Sequence, residues 1–254
     1  MHLRAPQTLA IVRHGQSAGN VARDEAEAAG RALIDIATRD IDVPLSPLGE
    51  RQAEALGEWL GSLPEDRQPT VVISSPYRRA GDSAARMVAA AGLEGRICVR
   101  RDERLREKEF GILDRLTHLG ISERHPELYA QRAHVGKFYF RPPGGESWCD
   151  VILRLRGMMD TLALEHDGER VLLMAHQVIV NCMRYLLERL SEEEILAIDR
   201  QGDVPNCGLT EYGFDPAGGP GGRWVLHQAN YVQPLREAGA PVTAESDAQA
   251  AVKP

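Results

Sequence analysis

The 254-residue chain, 43% hydrophobic and 26% charged, has the size of one large domain or two small ones and enough apolar content to build a core. Its formal net charge of -7 argues against broad binding to nucleic acids or anionic membranes, and no apolar run approaches the roughly 18–20 residues needed to span a bilayer. Four dispersed cysteines (Cys98, Cys149, Cys182, Cys207) form no CxxC pair and the N-terminus lacks a secretory signal, so a cytoplasmic protein with free thiols is expected, without a zinc knuckle or disulfide framework.

Leu9-Ala10-Ile11-Val12 is a short apolar run broken at Arg13-His14-Gly15, which reads as a buried strand passing into a loop. Residues 21–37 place Ala22, Ala26, Ala29, Leu33 and Ile36 at helical spacing and predict an amphipathic packing helix. Ser46 before Pro47 is a cap followed by proline at the first helical position, so a helix runs from there to about Leu63. Residues 70–73 form a second apolar strand that stops at Ser74-Ser75-Pro76-Tyr77-Arg78-Arg79-Ala80, where a helix to about Ala91 begins. A third strand is expected at 97–99.

Residues 111–145 show no clear strand and end in Arg141-Pro142-Pro143-Gly144-Gly145; they read as a lid, partly helical near 126–133, passing over the sheet edge. A helix over 147–165 returns to the scaffold. Residues 170–175 are the clearest strand and end on His176-Gln177 before an apolar helix over 178–190. A helix over 191–200 and strands at 206–212 and 224–227 complete the expected domain, residues 1–233; the Ala-, Glu-, Pro- and Gln-rich composition of 234–254 predicts a disordered tail. Short apolar strands alternating with helices imply a three-layer α/β sandwich with a mostly parallel central sheet, whose ligands sit at the carboxyl ends of the strands.

Three such ends therefore bring Arg13, His14, Arg79 and His176 toward one edge. Guanidinium forks suit the oxygens of a phosphoryl group, and one of the two histidines could attack phosphorus. Neither a GxxxxGK[ST] loop nor an HExxH helix is present, so the arginines would take the place of a metal and no cofactor is expected.

Six spaced motifs then carry a resemblance. Arg13-His14-Gly15 with Asn20, the run from Leu45 to Ala53, the run from Ser75 to Ala80, Leu105-Arg106-Glu107-Lys108-Glu109-Phe110-Gly111, Gly145-Glu146-Ser147 and His176 resemble the phosphoglycerate-mutase-like histidine phosphatase superfamily. The resemblance implies that His14 becomes phosphorylated, that Arg13, Arg79 and His176 surround the phosphoryl oxygens, and that Glu107 is the proton donor. It also implies substrate contacts from Asn20 and from Gln16 or Ser17; beside these, Gln177 next to His176 is a candidate contact, and so is Arg141 of the lid if the lid closes.

To serve as donor, Glu107 has to be held protonated by partial burial or by the phosphate's charge. The lid is shorter than the insert of cofactor-dependent mutases and lacks its adjacent arginine pair, which favours a phosphatase acting on a small phosphorylated metabolite over a mutase. A non-catalytic binding descendant is the third reading. Gln177 and the Gly145–Trp148 run are similar to the fructose-2,6-bisphosphatase domain, which suggests at most a related substrate. Oligomeric state is left open, a homodimer being one option.

Overall fold

The computed structural model describes residues 4–244. Its six strands are β1 (Thr8–Arg13), β2 (Val71–Ser74), β3 (Arg100–Arg101), β4 (Arg170–Ala175), β5 (Leu209–Asp215) and β6 (Arg223–Tyr231). They form one sheet in the order β3-β2-β4-β1-β5-β6. β1 to β4 run parallel, and β5 pairs antiparallel with both β1 and β6, so the reversal is confined to β5. The carboxyl ends of β1, β2 and β4 consequently open on one edge, as the alternation of strands and helices predicts.

Both faces of the sheet are covered, which explains the unbroken apolar runs. Leu9 and Ile11 of β1, with Val171 and Leu173 of β4, pack on α6 (Trp148–Glu165) and α7 (Gln177–Glu188). Val12, Leu172 and Met174 point the other way, onto α2 (Pro47–Ser62) and α3 (Arg78–Ala90). Burying each of the large aliphatic chains contributes about 1.5–3 kcal/mol, so the centre of the sheet is the most strongly held part of the fold. Within 111–145, α4 (His118–Arg124) and α5 (Pro126–Val135) lie beside a small separate core of Leu113, Leu116, Ile121 and Phe140, while Phe138 packs into the main core.

Several expectations need correction. The first helix, α1, is Ala18–Ala28 and not 21–37. Gly30 adopts φ +61°, its N–H bonds to Glu27, and that of Arg31 returns to Ala26, a paired closure that ends the helix and frees 31–39 to run extended. The edge strand β3 begins at the residue directly after the expected apolar triplet, because Ile97 is buried at a turn closed onto Leu93 and the ladder bonds are left to Arg100 and Arg101. Asn206 and Cys207 belong to a turn that buttresses β1, so β5 starts at Leu209.

The expected disordered tail is ordered at its start. After α8 (Glu192–Gln201) and the β5–β6 hairpin, α9 (Gln233–Glu237) buries Leu235 completely, and Ala240 packs into the same core. Two anchoring side chains suffice where composition showed few. The rest of that tail, 245–254, lies outside the described residues. Among the described residues no helix is long and apolar enough to cross a membrane. Cys182 and Cys207 are buried free thiols, whereas Cys98 is exposed.

Candidate active site

β1 carries Arg13 and His14 to the sheet edge, and the loop that follows is fixed atom by atom. The His14 N–H bonds to the Ala175 carbonyl of β4 at 2.9 Å, while the His14 carbonyl accepts from Asn206 Nδ2 at 3.0 Å. The Gly15 N–H donates to Ser83 Oγ at 3.0 Å and the Gln16 N–H to Gln52 Oε1 at 2.9 Å. Here the chain passes directly over the start of α2. A Cβ on Gly49 would stand 1.9 Å from the Gln16 carbonyl oxygen, and one on Gly15 2.3 Å from that of Gly49, so both positions require glycine.

The His14 ring is bonded at both nitrogens. Nδ1 lies 2.6 Å from the Gly15 carbonyl oxygen, which can only accept, so Nδ1 carries the proton. Nε2 accepts from Arg79 Nε at 3.2 Å and is the unprotonated atom. His176, delivered by β4, meets His14 edge-on with 5.0 Å between ring centroids, and its Nε2 sits 2.8 Å from Ser75 Oγ at the end of β2. Glu107 approaches from the other side, its Oε2 4.0 Å from His176 Nδ1 and its Oε1 accepting from the Lys108 N–H at 2.7 Å. Arg13 donates to the Val204 carbonyl. Arg13, His14 and His176 have no exposed surface, and Glu107 and Arg79 are 1% and 4% exposed.

A cleft open to solvent ends on Arg79 and Glu107, the direct partners of the buried histidines. Ser17 and Asn20 line it while bonding each other: the Ser17 N–H donates to Asn20 Oδ1 at 2.9 Å and Asn20 N–H to Ser17 Oγ at 3.1 Å, which caps α1. The outer walls are Ile34, Ile36 and Thr38 on one side and Phe110, Asp114 and Arg115 on the other. These walls are tied together: Ile34 N–H to the Arg115 carbonyl, Thr117 N–H to the Ala32 carbonyl, and Arg115 Nη2 to the Thr38 carbonyl. At the mouth Asp40 clasps Arg79, its carbonyl and Oδ1 accepting from Nη1 at 2.7 and 2.9 Å and its Oδ2 from Nη2 at 3.3 Å. Tyr77 wedges its ring between Arg79 and His176 and donates to Glu109 Oε1 at 2.9 Å.

Phe110 separates this cleft from a smaller basic pocket under the lid, where Lys108, Arg132 and Lys137 converge between Phe140 and Trp148. Lys108 stacks over Phe110 at 4.5 Å, and burial, reinforced by Arg132, pushes its ammonium down to about 8. Lys137 is paired with Asp199 at 2.5 Å.

Of the residues expected at the site, the structure gathers Arg13, His14, Arg79, Glu107 and His176 into one cluster and places Ser17 and Asn20 on the cleft wall. Gln16 and Gln177 are buried but bonded to Ser46 and Asp203, and neither lines the cleft. Arg141 does not line the cleft: its side chain is 62% exposed and paired with Asp150 at the start of α6. Sequence reasoning missed Asp40, Ser83, Gln52 and Asn206 as partners. Gln52 and Tyr77 lay inside quoted motifs, but nothing local marks Asp40 or Asn206, whose partners are 39 and 192 residues away.

Fold and cluster together define a class, that of mostly parallel-sheet α/β proteins with two histidines and an arginine buried at strand ends and a second arginine at the start of the helix after β2. The chain belongs to the histidine phosphatase superfamily (branch 1), whose family model matches residues 9–227. It is similar to the glucosyl-3-phosphoglycerate phosphatase of Mycobacterium tuberculosis, 33% identical over 204 residues covering 77% of this chain and 82% of that one. A structure of the mycobacterial glucosyl-3-phosphoglycerate phosphatase with VO3 superposes with a TM-score of 0.66 at 30% identity, covering 88% of this chain and 99% of that one. The 2,3-bisphosphoglycerate-dependent phosphoglycerate mutase 2 of Gloeobacter violaceus is 30% identical over 199 residues, 78% and 83% of the two chains. Against a bifunctional protein of Mycobacterium tuberculosis, 30% identical over 171 residues, the match takes in 67% of this chain and spans only 41% of the relative's length.

Proposed function

We propose that the protein is a phosphatase that hydrolyses a small phosphorylated metabolite through a phosphohistidine on His14. The observation that carries this reading is the tautomer: a proton held on Nδ1 by the Gly15 carbonyl leaves the Nε2 lone pair directed at the position Arg79 guards. Such a nitrogen needs no base to activate it.

The substrate's phosphoryl group replaces the Asp40 carboxylate on the Arg79 fork, and Arg13 and His176 complete the set of donors around its oxygens. Arg79 Nε turns from Nε2 to a phosphoryl oxygen, and the freed Nε2 lone pair attacks phosphorus in line with the leaving oxygen. As the P–O bond breaks, Glu107 gives its proton to that oxygen. Water then attacks phosphorus while Glu107 takes one of its protons, the P–N bond breaks with its electron pair returning to Nε2, and inorganic phosphate leaves. A sugar- or glycerate-sized substrate is the class supported by the glucosyl-3-phosphoglycerate phosphatase relative. The mutase relative keeps one competing reading, in which the phosphoryl group returns to another hydroxyl.

The test is purified protein against a panel of phosphorylated sugars, glycerates and nucleotides, with phosphate release and isomer formation both followed. Phosphate release without isomerisation is expected, and primer-dependent isomerisation would overturn it. His14→Ala abolishes phosphoenzyme labelling and lowers turnover by about 10³-fold or more; a labelled variant sinks the assignment.

A further inference from the structure

The family match ends at residue 227, yet the chain after it returns to the catalytic loop. Leu235 and Ala240 anchor that return in the core beside α2, and residues 241–243 then pass behind His14. Thr243 Oγ1 accepts from Gln52 Nε2 and donates to Asn206 Oδ1, both at 2.9 Å. The far end of each carboxamide holds the loop: Gln52 Oε1 accepts from the Gln16 N–H, and Asn206 Nδ2 donates to the His14 carbonyl.

We propose that Thr243 is a positioning residue for His14, its hydroxyl setting the direction of both carboxamides that clamp the nucleophile's backbone. The inference rests on the reading of His14 as phosphoryl acceptor. A carboxamide has a donor end and an acceptor end, and rotation by half a turn exchanges them. Gln52 must turn its oxygen to the loop and its nitrogen away, whereas Asn206 must do the reverse. The group between their outer ends therefore has to accept from one and donate to the other, which a hydroxyl does. Neither carboxamide is exposed to water that could substitute, and unmet polar groups in such a network are costly. A backbone bond from the Asn206 N–H to the Thr243 carbonyl at 2.9 Å and a side-chain bond from Gln52 Nε2 to the Pro241 carbonyl at 2.9 Å fix the hydroxyl's location.

The test compares Thr243→Val, which keeps the shape and removes the hydroxyl, with Thr243→Ser, which keeps the hydroxyl. Misplacing a reacting atom by an ångström costs up to about 10²-fold, so Thr243→Val lowers kcat about tenfold with KM changed less than about twofold, and Thr243→Ser restores it. Amide hydrogen exchange at Gly15 and Gln16 quickens in Thr243→Val and not in Thr243→Ser, a readout independent of turnover. Wild-type kcat and exchange in Thr243→Val, or equal damage from both variants, overturn the inference. An inert wild type with the expected exchange pattern overturns the proposed reaction and leaves the clamp standing.

Discussion

The floor and the rim of the cleft are built on different principles. The floor collects residues from the ends of β1, β2 and β4, and nearly every loop atom beside His14 is bonded to a strand or helix of the scaffold. Its charges are arginines clasped by acceptors, Arg13 by Val204 and Arg79 by Asp40. The rim joins two connecting segments, 31–40 and 110–117, to each other, and its neighbouring cations rest on aromatic faces under the lid. The difference teaches that this chain places its chemistry where the sheet holds it and leaves the shape of the entrance to segments outside the core.

If the floor alone carries the reaction, substitutions should rank by their distance from it. Glu107→Gln, which cannot give up a proton, lowers turnover of an alkyl phosphate by about 10²–10⁴-fold, and far less with a nitrophenyl leaving group that departs unprotonated. The comparison is read on the rate of phosphoenzyme formation, since hydrolysis of the phosphohistidine is common to both substrates; equal losses there would remove Glu107 from the donor's role. Gly49→Ala pushes a methyl group into the Gln16 carbonyl. It destabilises by about 1–3 kcal/mol in denaturant melts and slows turnover by displacing the His14 loop; a variant as stable and active as the parent would show the floor to be soft.

On the lid side the effect reverses sign. Lys108 is buried, and its ammonium is lowered from 10.5 to about 8. Between those values the unfolded chain holds a proton that the folded one has released, so stability rises with pH across that window, and below it the cost of the buried charge is fully present. Lys108→Met therefore stabilises the fold at pH 7 by about 1–3 kcal/mol and flattens the rise above pH 8, measured by denaturant titration at several pH values. Arg141→Ala, at an exposed ion pair, changes stability by less than about 0.5 kcal/mol and leaves KM unchanged. A raised KM would return Arg141 to the cleft.

The floor was legible in the sequence because its residues sit in contiguous motifs at strand ends: the apolar runs that place β1, β2 and β4 also place His14, Arg79 and His176. The rim was not. A helical spacing of Ala29, Leu33 and Ile36 outweighed Gly30, whose left-handed turn ends α1 and creates the 31–40 wall. Asp40, Asn206 and Thr243 act through partners distant in the chain, and no local spacing reports such contacts. The tail failed for a related reason, since composition averages over a segment that two buried side chains, Leu235 and Ala240, are enough to fix.

The stitching of 31–38 to 115–117 has one further consequence. Ile34 and Ile36 enter that seam through their backbones, with Ile34 N–H on Arg115 and Ile36 N–H on Ile34, while their side chains form the wall that a ligand meets. The seam is thus a frame with interchangeable panels. The side chains at Ile34 and Ile36 can be exchanged, one at a time, without unpicking a backbone bond of the seam, whereas Arg115, whose guanidinium ties Thr38, cannot.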